Sequence, residues 1–216
     1  MRNDVCTSRR DHIGLDETAL TGIYQDNVNM AIWRRNLSRE LQMQAKQCVE
    51  QHPKMQLSAV VDPASALDTL RTELPSQDHM KELLEDMATL VDMFCCLFDC
   101  KRAGLRLKVL NSAMCPRFHV DNVPCRLVTT YIGIATEWLA HNHVNRDKLG
   151  PGNQGLPDEE SGLYHHSEQI QHLSAGHVAL MKGEKWHNNQ GAGLVHRSPE
   201  PSQSSRLLLT LDFVDA

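Results

Sequence analysis

The chain has 216 residues, 41% of them hydrophobic and 23% charged, with a formal net charge of −5. That length suits one sizeable domain, or one with an elaborated N-terminal part, and an acidic balance without a basic run gives no reason to expect a nucleic-acid partner. The longest apolar run, residues 91–98, is too short to span a bilayer, and Met1 to Cys6 lacks the apolar core of a secretory signal. Seven cysteines, an odd number without a spacing framework, predict reduced thiols in a cytoplasm.

Residues 1–19 are polar and aperiodic, and are expected to be a flexible N-terminus. Residues 24–33 suggest a short extended piece, and 36–51 a helix carrying Leu37, Leu41, Ala45 and Val49. A strand over 54–61 is stopped by Pro63, and a short helix over 64–74 is closed by Pro75. The strongest periodicity runs over 76–101, with Ser76 as N-cap. Met80, Leu83, Leu84, Met87, Leu90, Val91, Phe94, Leu97 and Phe98 recur there at i, i+3, i+4 and i+7. Cys95, Cys96 and Cys100 lie on or beside that stripe and read as core packing rather than ligands.

After Gly104 the texture becomes β-rich, with strands expected over 105–109, 126–134, 136–139, 178–181, 194–196 and 206–214. Residues 140–175, full of Gly, Pro, Asn and His, read as one long loop. In the last strand Leu207, Leu209, Leu211 and Phe213 form one face, and Arg206, Leu208, Thr210 and Asp212 the other. The alternation alone does not say which face meets helices and which lines a cavity. The pattern predicts an α+β chain, with a mainly helical part over 20–103 packed on a C-terminal jelly-roll sandwich over 104–216.

The most informative residues are Arg117-Phe118-His119-Val120-Asp121, His196 and Arg206. A His-x-Asp pair on a strand puts both side chains on one face. A distant second His can then complete the two-imidazole, one-carboxylate facial site of non-haem Fe(II) oxygenases. An Arg adds a fork-shaped cation for an organic carboxylate. With 12 histidines in the chain, chance alone supplies about one His-x-Asp, so the weight rests on order: His-x-Asp, then His, then Arg opening the last strand.

Residues 117–121, His196-Arg197-Ser198-Pro199 and 205–212 resemble the two signature segments of the Fe(II)/2-oxoglutarate-dependent oxygenases. That resemblance implies a double-stranded β-helix, with His119, Asp121 and His196 holding Fe(II). It also implies that Arg206 binds the distal carboxylate of 2-oxoglutarate, with Tyr131 or Thr210 beside it. One departure is Leu208, where that superfamily often has Ser or Thr. Nearly the whole chain, including residues 24–35, Thr136-Glu137-Trp138 and Leu180-Met181-Lys182-Gly183-Glu184, also resembles a bacterial family known only as domain of unknown function 1826.

The principal reading is therefore a cytoplasmic Fe(II) oxygenase acting on an unidentified small molecule or side chain. The alternative is a non-catalytic zinc-binding jelly roll for metal handling or sensing. It draws on the nine histidines from His119 to His196, among them His141, His143, His165, His166, His172, His177 and His187. For Trp186 the readings are a hairpin aromatic covering the sandwich end or one presented to a pocket. For Arg206 the structural reading is an ion pair with Asp212 or Glu137.

Overall fold

A computed structural model describes residues 8–74, 79–199 and 205–214. Its elements in chain order are β1 (Arg10–Gly14), β2 (Val28–Trp33), α1 (Arg39–Gln51), β3 (Gln56–Val61), α2 (Ala66–Glu73), α3 (Lys81–Phe98), β4 (Ala103–Leu110) and β5 (Cys125–Ile132). There follow β6 (Glu137–Leu139), β7 (Ile170–His172), β8 (Val178–Lys182), β9 (Val195–Arg197) and β10 (Arg206–Phe213). The fold is a mixture of helices with a large, mostly antiparallel sheet of order β1-β2-β8-β5-β10-β4-β3. A smaller sheet, β7-β6-β9, accompanies it.

The β10 ambiguity resolves in favour of helices on the leucine face. Leu207, Leu209 and Leu211 share one core with Leu41, Ala45 and Cys48 of α1 and with Leu83, Met87, Leu90 and Phe94 of α3. Each such fully buried aliphatic side chain contributes roughly 1.5–3 kcal/mol. Leu208, on the opposite face, packs with Met30, Val128, Trp138 and Met181 between the two sheets. Helix α3 ends where Asp99 turns left-handed (φ 49°) and the Cys100 N–H closes onto the Cys95 carbonyl, a common helix stop. Ser76, the expected cap, lies outside the described residues; the residue before the helix is Met80, which makes no side-chain cap bond.

Two expectations need correction. Residues 10–14, placed in a flexible N-terminus, form β1 and pair parallel with β2. The Trp138 indole N–H donates to Asp11 (3.1 Å), tying β1 to the smaller sheet. Residues 17–24 add a 3-10 helix that buries Leu20 and Ile23. The sequence lacks a signal for β1 because an edge strand held mainly by backbone bonds needs no apolar alternation. Within residues 140–175 the chain makes several 3-10 turns and the strand β7. Leu163 and Tyr164 anchor that stretch against Phe118, Leu139 and Val195.

Candidate metal centre

His119 lies in no named strand, but it bridges His196 of β9 through reciprocal backbone bonds, each 3.0 Å. Asp158, buried in the long loop, fixes the residues just before it: its carboxylate accepts from Arg117 Nε and from the Phe118 N–H, both at 2.8 Å. Asp121 follows the bridge in irregular chain. Its carbonyl accepts from Glu184 N–H, and Val123 and Pro124 accept from Lys185 and Gly183. A Cβ at position 183 would collide with the Asp121 and Val123 carbonyls, so glycine is what lets these two segments meet.

These contacts bring His119, Asp121 and His196 together with one donor atom each inside a 4.8 Å span. His119 Nε2 lies 3.6 Å from Asp121 Oδ1, and His196 Nε2 lies 3.5 Å from Oδ2. Each Nδ1 faces a backbone carbonyl, Arg117 at 2.9 Å and Leu194 at 3.2 Å. A carbonyl can only accept, so the proton sits on Nδ1 and the Nε2 lone pairs point at the carboxylate. Burial drives the His196 pKa down to about 4, so it is neutral at pH 7. Its lone pair then meets an anionic oxygen with no proton between them, a repulsion that a cation between them relieves. His119 is shifted upward, chiefly by Asp121. Burial pushes Asp121 up, but His119, His196 and Arg126 outweigh it and hold its pKa at about 2. Donors about 2.1 Å from a common ion stand roughly 3.0 Å apart in octahedral and roughly 3.4 Å apart in tetrahedral coordination, so a set with one donor per residue inside 4.8 Å fits a divalent metal once the donors draw together around it.

The three residues open into a cavity of about 80 Å³ lined also by Val128, Met181, Leu208, Thr210, Ser198 and Arg206. Arg206 is fully buried. Its Nη1 donates to Ser198 Oγ at 2.6 Å, while Nε and Nη2 have no hydrogen-bond partner among the described residues. Burial lowers its pKa to about 10. The ion pair with Asp212 or Glu137 of the structural reading is not made: Asp212 binds Arg126 and Arg106, and Glu137 binds Arg197.

Thr210 lies on the cavity wall. Tyr131 does not: its hydroxyl donates to Asp86 of α3 at 2.7 Å, on the helix side of the sheet, where Asp86 also pairs with Arg35. Leu208 does line the cavity, and the hydroxyl beside Arg206 comes instead from Ser198, two residues after His196 and just beyond the end of β9. The remaining histidines form no second grouping of three ligands among the described residues. Trp186 packs against Tyr24, Phe98 and Lys182, closing one end of the helix-side core. Arg126 and Asp158 carry no motif, and Ser198 and Asp212, though inside the quoted segments, were not legible as site residues; the β5–β10 register reveals Arg126 with Asp212, and the packing of the loops reveals Asp158 and Ser198.

Comparison with solved structures finds the same fold in a rice dioxygenase for auxin oxidation, at 12% identity and TM-score 0.50, covering 85% of this chain and 73% of that one. A proposed oxygenase from Shewanella oneidensis aligns at 9% identity and TM-score 0.51, covering 94% and 89%. No curated protein matches the sequence. No helix among the described residues is long and apolar enough to cross a membrane. A family described as protein of unknown function (DUF1826) matches residues 14–212, and the chain belongs to that family.

Proposed function

We propose that the chain is a non-haem Fe(II) oxygenase that uses 2-oxoglutarate and oxidises an unidentified substrate, on a double-stranded β-helix. The observation carrying this reading is that one cavity holds both the two-His, one-carboxylate set and a buried guanidinium with two N–H groups left over. Buried donors without acceptors are rare in folded proteins, and two on one guanidinium facing a cavity call for an acceptor there. Likeness of fold to the rice dioxygenase supports the reading at the level of architecture.

His119, Asp121 and His196 would hold the metal, leaving coordination positions for a chelating oxo acid. Fe(II) with the oxo acid would activate O₂, the oxidant of the reaction, which no side chain can do. Arg206 would receive the distal carboxylate on its free N–H groups, with Ser198 and Thr210 offering hydroxyls. Val128, Met181 and Leu208 keep that end of the cavity apolar, which strengthens the ion pair.

A second reading is zinc held by the same three residues without turnover, since two imidazoles and a carboxylate suit Zn²⁺ as well as iron. One titration separates the two. Metal-free protein receives Fe(II) and then 2-oxoglutarate under anaerobic conditions. The oxygenase reading expects a visible metal-to-ligand charge-transfer band that disappears in His119→Ala. Zinc binding through the triad with no such band would establish the second reading.

A further inference from the structure

Asp121 is the metal-site residue least supported by secondary structure, since it stands outside every strand of the fold. Its side chain is nevertheless held. Arg126 Nη1 donates to Oδ2 at 2.6 Å, and Arg126 is itself gripped at its other edge by Asp212 through Nε (2.7 Å) and Nη2 (3.1 Å). Arg126 and Asp212 are direct cross-strand partners on β5 and β10, so the grip is built into the sheet register. Asp212 also receives Arg106 from β4. Charges of alternating sign thus run from β4 through β10 and β5 to the Asp121 carboxylate, and Asp212 is buried.

We propose that Arg126, anchored by Asp212, is a positioning residue that fixes the Asp121 carboxylate with Oδ2 engaged and Oδ1 free for the metal. This rests on the reading that His119, Asp121 and His196 hold a divalent cation. The geometry explains why arginine occupies position 126. A planar fork can satisfy one carboxylate along one edge while reaching a second with its remaining nitrogen, whereas a lysine ammonium is a point donor on a flexible stem. It also explains how a residue in irregular chain faces two imidazoles: the sheet, not the local backbone, sets its direction.

The electrostatic sign makes the proposal sharply testable. Arg126 is a cation beside a cation site, so removing it should by Coulomb's law alone tighten metal binding. Loss of an outer partner that orients a ligand does the opposite, typically weakening metal binding 10- to 100-fold. The two effects oppose each other, and only positioning predicts a weaker site.

The experiment measures Co(II) affinity of the full chain by competition with a chelating dye, together with the visible Co(II) spectrum, for wild type, Arg126→Met, Arg126→Lys and Asp212→Asn. The expected result is affinity lower by about 10-fold or more in Arg126→Met, with an altered spectrum. Arg126→Lys should fall between it and wild type. Asp212→Asn, which leaves Arg126 in place but loosens its anchor, should weaken binding less and shift the spectrum in the same direction. Thermal melting of each metal-free variant identifies any that fails to fold; if Arg126→Met does, Arg126→Lys decides, because it keeps the charge and loses only the fork. Affinity unchanged or tighter in the folded variants, with the wild-type spectrum, overturns the proposal. Wild type that binds no Co(II) overturns the metal-site reading itself, which is a different result.

Discussion

Arg206→Met should make the metal-free protein more stable and the proposed co-substrate site inert. The guanidinium is fully buried, and its pKa falls from an ordinary value above 12 to about 10. At about 1.4 kcal/mol per pH unit, that depression destabilises the folded state by about 3 kcal/mol. A base whose folded pKa lies below its unfolded value imposes this cost at every pH beneath the folded pKa, so it is present in full at pH 7 and fades only as pH rises past 10. The substitution also removes the 2.6 Å bond to Ser198, worth about 1 kcal/mol, so the net gain is about 2 kcal/mol. For a chain of this size that is a rise of roughly 4–8 °C in Tm. Leaving a buried carboxylate without its cation costs about 2–5 kcal/mol, so the Kd for 2-oxoglutarate on the Fe(II)-loaded protein should rise by at least about 30-fold. Differential scanning calorimetry of metal-free protein and anaerobic titration of the loaded form measure the two. A lower Tm would mean that Arg206 is paired in solution and serves the fold; an unchanged Kd would mean that the oxo acid, if bound, does not use it.

Metal binding should be proton-linked in a recognisable way. His119 must be neutral to ligate and its pKa is raised, so apparent affinity should fall about tenfold per pH unit below that pKa; the slope should steepen only near pH 4, where His196 also protonates. A pH series of metal titrations checks this, and a two-proton slope already at pH 6 would contradict it. Gly183→Ala should force the Asp121 and Val123 carbonyls apart, costing about 1–3 kcal/mol in chemical denaturation and weakening metal binding with it. Tyr131→Phe should cost about 1 kcal/mol by removing one bond to Asp86, which keeps Arg35, while metal and 2-oxoglutarate affinities stay unchanged.

The parts of this molecule legible in its sequence are those whose periodicity or chemistry is local. Helix α3 announces itself through an apolar stripe, and β10 through strict alternation. The His-x-Asp, His, Arg order is readable because each residue type is chemically distinctive. Tyr131 was misplaced because β5 is buried on both faces, so apolar side chains and threonines stand in both of its rows and its phase cannot be read. Arg126 and Asp212 stand 86 residues apart, and their pairing exists only once β5 and β10 are set in register. Strand β1 escaped notice for the opposite reason, because its place depends on backbone bonds that any sequence can make.

The last strand sets a limit on how such a protein can change over time. Alternate residues of β10 serve two unrelated tasks, filling the helix-side core and furnishing the cavity. Inserting or deleting a single residue there would exchange the two sets, sending leucines into the polar chamber and Arg206 into the apolar layer. A two-residue change keeps the faces but carries the guanidinium about 7 Å along the strand, beyond reach of Ser198. Descendants of this sequence can therefore explore new loops around the cavity freely, while the length of the segment from position 206 to 213 stays frozen by arithmetic.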